Sequence, residues 1–440
     1  MGVFTEVDKT TVPKGVKVHG AMLVGASKFK WSVKMADVST AFLHAPVEGD
    51  VYVRAPGKGK DVVWKLNKAL YGLRSAPRSW QEHLAKEMDK LGWKRMTTDQ
   101  SCYYKMKDGK LVGMTVVYVD DIIATGEESE LRRMFSELRK RVTIKQVDDL
   151  KVGDSTTFLG FSYRRHADGF EIDPSEYATK IVNDNGMDQC KPVTTPGVRE
   201  PRNEKDDTDA VLDEAGHRKY RRAVGQLLWL STMRRDIAFA VKELSKNVHQ
   251  PTMKNEMECK RTLRYLSGTK ELTTGLFPTT TADEPFQVKA VTDADLGGCT
   301  DTGRSTSGGV VMVDGCVVHS WSKQQGSVAL SSAEAEYVAV ARAASEALYV
   351  CNMLQELGLD VGVPVVETDS QAARDMTRKR MVGRVKHLDR SMHFLRELVQ
   401  ENRIQLKLIP GNDNMADLLT KHVTASVLEK LRPKILGYKE

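Results

Sequence analysis

The stretch LVGMTVVYVDDIIATG, residues 111–126, constrains this chain more than any other. Its apolar residues form two short runs of strand length, which meet at Val119, Asp120 and Asp121. A hairpin is the simplest structure for such a pattern, and it sets two neighbouring carboxylates at the tip of an apolar element. Two carboxylates about 5 Å apart repel by roughly 3 kcal/mol at an effective dielectric of 20. A solvated turn relieves that repulsion, since Asp favours hairpin tips. A cation held between the carboxylates relieves it equally well. The local sequence leaves both readings open.

The surroundings add a third carboxylate. KWSVKMADVSTAFLH reads as a strand turning into a short helix, with Asp37 at the junction. In APRSWQEHLAKEMDKLGW, helical spacing puts Trp80, Leu84, Met88 and Leu91 on one face, with Pro77 just before the start. ESELRRMFSELRKRV does the same with Leu131, Met134, Phe135, Leu138 and Val142. The order is strand, helix, hairpin, helix. If these elements share one sheet, Asp37 joins Asp120 and Asp121 in the oxygen-rich surroundings that Mg²⁺ prefers. A pair of such ions would stabilise the attacking and leaving oxygens of an in-line phosphoryl transfer.

A second acidic set lies towards the C-terminus. FLGFSYRRHADGFEI alternates like a hairpin, residues 194–210 are rich in Pro, Thr and charge, and the pattern from Tyr220 to about Leu276 is helical. Composition shifts again at TTTADEP (279–285), which reads as a domain boundary. Beyond it, strands alternate with helices in a mixed α/β pattern, the longest helix spanning about Ala333 to Leu357. Asp293 and Asp369 each close a strand, Asp417 falls in a helix expected from about Asn414, and SSAEAEY opens the long helix. Four carboxylates from separated elements would suit a two-metal hydrolytic site. Singly, Asp417 equally suits a solvent-facing position and Asp369 a helix start. Helical phase does not choose between Glu334 and Glu336.

Composition narrows the class. At 440 residues the chain is long enough for two to four domains, and 40% hydrophobic with 28% charged residues is a globular composition. A net charge of +7 tilts towards a polyanionic partner. The six cysteines include no CxxC pair, which argues against a zinc knuckle or a disulfide framework. There is no signal-peptide pattern and no run of about 18 apolar residues, so the expectation is an intracellular chain, cytoplasmic or nuclear, with no membrane partner.

Eleven blocks, in order, resemble the polymerase and ribonuclease H portion of Ty1/copia-type retrotransposon Pol polyproteins. They are MADVSTAFLHAPVEGDVYV, WKLNKALYGLRSAPRSW, YVDDIIATG, FLGFSY, YRRAVGQLLWLSTMRRDIAFAV, RTLRYLSGT, TDADLGG, GRSTSGGVV, WSKQQGSVALSSAEAEYVA, VKHLDRSMHFLRE and NDNMADLLTK. The resemblance implies an α/β and α+β multidomain chain. A fingers remnant (1–30) would precede a reverse transcriptase palm of antiparallel sheet and helices (31–173). A helical thumb or connection (174–284), an RNase H-like mixed α/β domain (285–425) and a C-terminal tail (426–440) would follow.

By the same resemblance, Asp37, Asp120 and Asp121 would be the polymerase ligands of two Mg²⁺, with Mn²⁺ able to substitute. Phe42 would exclude a 2′-hydroxyl, the backbone N–H groups of Ala41 and Phe42 would face the triphosphate, and Tyr71 with Gly72 would lie nearest the template base and nucleotide. FLGFSY would be the primer grip. In the nuclease half, Asp293, Glu336, Asp369 and Asp417 would hold a second Mg²⁺ pair. The implied partners are an RNA template, a DNA primer, an RNA–DNA hybrid and dNTPs; the oligomeric state is left open. His387 and His393 recur in the family block but are assigned no chemistry. Leu296 stands where the family often has Trp.

The family's longer fingers segment precedes its first aspartate, whereas only residues 1–36 do so here, and the protease and integrase regions have no counterpart. A shortened piece of such a polyprotein is therefore expected. Two rival readings fit the same residues: a chain that keeps only the nuclease, and a non-catalytic nucleic-acid-binding remnant.

Overall fold

The computed structural model describes residues 15–55, 57, 62–198, 210–378 and 389–438, with side chains of 15–18, 378 and 389–392 excepted. His387 lies outside the described residues. The chain separates into two compact units, residues 1–159 with 352–359, and residues 160–351 with 360–440.

The first unit starts with helix α1 (Gly15–Lys28) and strand β1 (Ser32–Val38), followed by a small ribbon of β2 (Tyr52–Arg54) and β3 (Val63–Lys65). Helix α2 (Ala76–Lys90), strands β4 (Lys94–Arg95), β5 (Cys102–Lys107), β6 (Lys110–Tyr118) and β7 (Asp121–Gly126), helix α3 (Glu128–Leu138) and strand β8 (Ile144–Asp149) complete its sheet region. Six strands form one sheet in the order β4-β5-β6-β7-β1-β8, and the pairs around β1 and β7 are antiparallel. Strand β1 is flanked by β7 and β8 and mostly buried, and its one buried lysine, Lys34, is ion-paired with Asp149. Helix α2 buries Trp80, Leu84 and Met88, and α3 buries Leu131, Met134, Phe135 and Leu138. Those are the faces their spacing predicts. Val142 lies beyond the end of α3 yet is buried in the same core. Gly126 is required sterically: a Cβ there would stand 2.4 Å from the Val112 carbonyl oxygen.

After β9 (Ser155–Phe158), the second unit contains the antiparallel strands β10 (Phe161–Arg165) and β11 (Phe170–Asp173), then helices α4 (Ser175–Asp184), α5 (Glu214–Leu230), α6 (Ala238–Lys246) and α7 (Met253–Ser267). Strand β12 (Thr274–Leu276) pairs with β11. A second sheet is built from β13 (Val288–Ala294), β14 (Thr306–Val313), β15 (Cys316–Gln324), β16 (Val365–Thr368) and β17 (Gln405–Leu408), in the order β15-β14-β13-β16-β17. Its first three strands are antiparallel, whereas β13, β16 and β17 run parallel. The long helix α8 (Ser332–Glu356) starts in this unit, and α9 (Gln371–Arg378), α10 (Asp389–Gln400) and α11 (Ala425–Leu436) follow. The fold is thus mixed α/β, with an antiparallel sheet in the first unit and a mixed sheet of β13–β17 in the second.

One expectation is corrected. Asp417 does not lie in an α-helix starting near Asn414; it sits in a 3₁₀ turn, Met415–Leu419, after a shorter one at Gly411–Asp413. The Asn414 side chain accepts from the Ala416 N–H and caps that turn, and the tight geometry lasts only five residues before the chain reopens. Among the described residues, no helix is long and apolar enough to cross a membrane.

Candidate active sites

In the first unit, the hairpin of β6 and β7 closes on two loop residues, Val119 and Asp120, because Tyr118 pairs with Asp121. Val119 has φ +56°, a left-handed conformation that β-branched residues rarely adopt. Its carbonyl accepts a 2.6 Å hydrogen bond from the indole Nε1 of Trp80 on α2. On the neighbouring strand Asp37 is the direct antiparallel partner of Asp121, and the Val38 N–H donates to the Asp120 carbonyl at 2.8 Å. Directly opposed like charges on adjacent strands are destabilising. Burial, then the charges of Asp120 and Asp37, push the Asp121 carboxyl up to about 6. Lys145 on β8 answers part of that field, its Nζ lying 2.8 Å from Asp37.

Around this hairpin, the 3₁₀ turn Ala41–His44 follows β1, and the Phe42 ring meets the Tyr71 ring at 4.6 Å between centroids. Burial and the charges of Asp120 and Asp37 raise the Tyr71 phenol, and a hydrogen bond from the Ala41 backbone opposes the shift. Gly72 has φ +98°, a conformation that favours glycine. The structure therefore gathers Ala41, Phe42, Tyr71 and the three aspartates around the β6–β7 hairpin.

In the second unit, the parallel strands β13 and β16 pair Val291 with Glu367. Two residues further along each strand, Asp293 and Asp369 emerge side by side at the carboxyl ends, where open α/β sheets place their ligands. Asp417 joins them, and one carboxylate oxygen from each of the three lies within 4.8 Å of the other two. Among the described residues, this is the one such convergence of His, Cys, Asp and Glu found, and Asp37, Asp120 and Asp121 do not close into an equivalent group.

Helix α8 supplies a fourth carboxylate. Ala335 and Ala339 pack against Ala294, and these small side chains allow the helix to approach β13 closely. Glu336 then accepts from the Ala294 N–H at 3.3 Å, while its other oxygen, Oε2, is buried with no hydrogen-bond partner. Burial, followed by the charges of Asp293 and Asp369, pushes the Glu336 carboxyl up to about 8. Asp417 rises to about 6, from burial and Asp293. Glu334 points elsewhere, accepting from the Leu330 N–H at 2.9 Å. Asp295 accepts from the Thr306 N–H and so braces the loop after β13.

Several residues that sequence alone did not single out hold this cluster. The buried Asn414 donates to Asp369 at 3.3 Å and to the Thr292 carbonyl at 3.2 Å. The Thr420 hydroxyl donates to Asp293. Lys421 lies 2.8 Å from Asp417 and 3.5 Å from Asp293. Lys421 had one readable signal, its four-residue spacing from Asp417. Nothing local announced Thr420, Asn414, Lys145 or Trp80. The donor set suits a hard divalent cation: all oxygen, acidic, and with one buried oxygen left unsatisfied.

The family model described as reverse transcriptase (RNA-dependent DNA polymerase) matches residues 14–199. The Retrovirus-related Pol polyprotein from transposon RE1 of Arabidopsis thaliana is 32% identical over 413 residues, 92% of this chain and 27% of that polyprotein. The corresponding polyprotein from transposon TNT 1-94 of Nicotiana tabacum is 32% identical, over 92% of this chain and 31% of its own length. An uncharacterized mitochondrial protein of Arabidopsis thaliana is 35% identical over 52% of this chain and 91% of its own length. The chain belongs to the Ty1/copia-type retrotransposon Pol family. It spans about 27% of the length of the RE1 polyprotein. The reverse transcriptase match covers the hairpin site, and the carboxylate cluster at the ends of β13 and β16 lies C-terminal to it in the same Pol-like stretch.

Proposed function

We propose that this Pol segment is an RNA-directed DNA polymerase joined to a ribonuclease H that cuts the RNA strand of RNA–DNA hybrids. In this reading residues 31–173 are the palm, 174–284 the thumb or connection, and 285–425 the nuclease domain. The observation that carries it is the meeting of Asp293, Asp369 and Asp417 beside the unsatisfied Glu336 oxygen.

Asp293, Glu336, Asp369 and Asp417 would hold the divalent ions of the nuclease. Bound Mg²⁺ would supply charge stabilisation at the attacking water and the leaving oxygen. The protein's own part is to hold the ligands: Asn414 fixes Asp369, Thr420 fixes Asp293, and α8 sets the reach of Glu336. Selectivity for a hybrid would come from duplex shape and 2′-hydroxyl contacts, not base readout.

In the polymerase half, Asp37, Asp120 and Asp121 would be the ligands, and the N–H groups of Ala41 and Phe42 would receive the dNTP triphosphate. Phe42 is braced by Tyr71, which supports a rigid wall against a 2′-hydroxyl. Template and primer would be held through phosphates by the basic surface.

A second reading, nuclease without polymerase, is favoured by the open arrangement of the three hairpin aspartates, which do not converge as Asp293, Asp369 and Asp417 do. Primer extension on a primed RNA template with dNTPs and Mg²⁺ decides between them. Extension that Asp120→Asn abolishes supports the double enzyme. Hybrid cleavage without extension supports the second reading.

A further inference from the structure

Lys421 lies against the carboxylate cluster of the second unit. It follows Asp417 by four residues, and its ammonium bridges Asp417 at 2.8 Å and Asp293 at 3.5 Å. Asp293 is almost fully buried, with a side chain 4% exposed, whereas Lys421 is 46% exposed. The lysine thus reaches in from the protein edge and covers two of the three converging carboxylates. Other groups that face these oxygens are the Thr420 hydroxyl on Asp293, the Asn414 amide on Asp369 and the Glu336 carboxyl. Of these, only Lys421 carries a positive charge.

We propose that Lys421 is the resident counter-ion of the nuclease site: it holds Asp417 and Asp293 in place before a divalent ion arrives, and its ammonium must move aside when one binds. The inference rests on the metal-dependent nuclease reading and deepens it. The carboxylates of this cluster repel one another, the more so as water is excluded, and a cation among them relieves that repulsion. A lysine on a flexible stem supplies that charge and can withdraw along an exposed path without rebuilding the core. The same lysine then competes with the metal for the ligands. Lys421 is in this sense a positioning residue, and it sets the affinity of the site as well as its shape.

Titration of the full chain with Mn²⁺, followed by calorimetry, tests this. The binding event that Asp369→Asn removes belongs to this site. Lys421→Gln is expected to bind Mn²⁺ roughly two- to fivefold more tightly at that event, the range for losing one partly exposed ion pair. Lys421→Gln should also melt lower than the native chain in EDTA, and Lys421→Arg should keep the native melting temperature. Equal or weaker Mn²⁺ binding by a folded Lys421→Gln overturns the counter-ion role. Should that variant fail to fold, the native chain decides: with an amine-reactive ester, Lys421 should be modified faster in Mg²⁺ than in EDTA, and an unchanged or slower rate overturns the proposal. A native chain with no Asp369-dependent Mn²⁺ binding overturns the nuclease reading itself, and the counter-ion with it.

Discussion

The indole Nε1 of Trp80 donates a 2.6 Å hydrogen bond to the carbonyl of Val119, the residue that turns the hairpin between β6 and β7. Val119 holds φ +56°, a conformation that costs an L-residue about 1–2 kcal/mol. Strain of that kind persists where the surroundings fix it, and it recurs at sites that must aim a side chain. Here the strained residue directly precedes Asp120.

Trp80→Phe keeps most of the packing of α2 and removes the donor. The expected cost is about 1–3 kcal/mol, because the partner carbonyl is left without its bond. Val119→Gly relieves the strain that this hydrogen bond opposes, so Trp80→Phe should cost less in the Val119→Gly chain than in the native one. Urea denaturation of the four proteins checks this, and strict additivity would separate the two residues.

The pH dependence of the metal-free protein has a definite sign. Glu336 is pushed up to about 8 in the folded chain, so the folded state keeps a proton that the unfolded chain releases near its ordinary value of 4.5. The stability contributed by this group is complete below about 4.5 and is lost as pH rises through about 8. In EDTA, Glu336→Gln should therefore gain on the native chain between pH 5 and pH 8. Mg²⁺ should shrink the gap, because a cation favours the ionised carboxylate. Melting curves at the two pH values measure it; a gap that widens towards acid pH would contradict the assigned environment.

Asn414→Ala should cost about 2 kcal/mol through the loss of two buried hydrogen bonds and a turn cap. Cleavage of a hybrid should fall chiefly in kcat, with KM little changed, since Asn414 orients Asp369 and not the duplex. Steady-state kinetics alongside denaturation separates this from simple instability.

Arg234 and Asp236 form an ion pair with both side chains fully buried, Arg234 Nη2 lying 2.7 Å from Asp236 Oδ2, and the Tyr265 hydroxyl donates to the same oxygen at 2.7 Å. Arg234→Met alone should destabilise by about 3–5 kcal/mol, because it strands a buried carboxylate. Arg234→Met with Asp236→Leu should recover much of that loss, read again by denaturation.

Much of this architecture is readable in the sequence, for a physical reason. Helices α2 and α3 each bury one face, so their periodicity survives in the residue order, whereas β6 and β7 are buried on both faces and show as continuous apolar runs. Helix α1 is different: Ala21, Met22, Leu23, Val24 and Ala26 are all buried, and a helix covered on every side has no stripe to detect. Asp293 and Asp369 were recognisable as strand-end carboxylates, yet the parallel register that sets them side by side is a tertiary fact. Glu334 and Glu336 stand about 200° apart on a helix, and the choice between them depends on which backbone N–H each meets. Lys145 and Lys421 act on carboxylates whose placement the sequence does not give, although Lys421 follows Asp417 by only four residues.

The most direct test of the central claim is cleavage of an RNA–DNA hybrid, labelled on the RNA strand, by the purified chain in Mg²⁺. Cleavage confined to the RNA strand, abolished by EDTA and by Asp369→Asn, is the expected result. A folded native chain that leaves the hybrid intact, or an Asp369→Asn variant that cuts as well as the native chain, would contradict it.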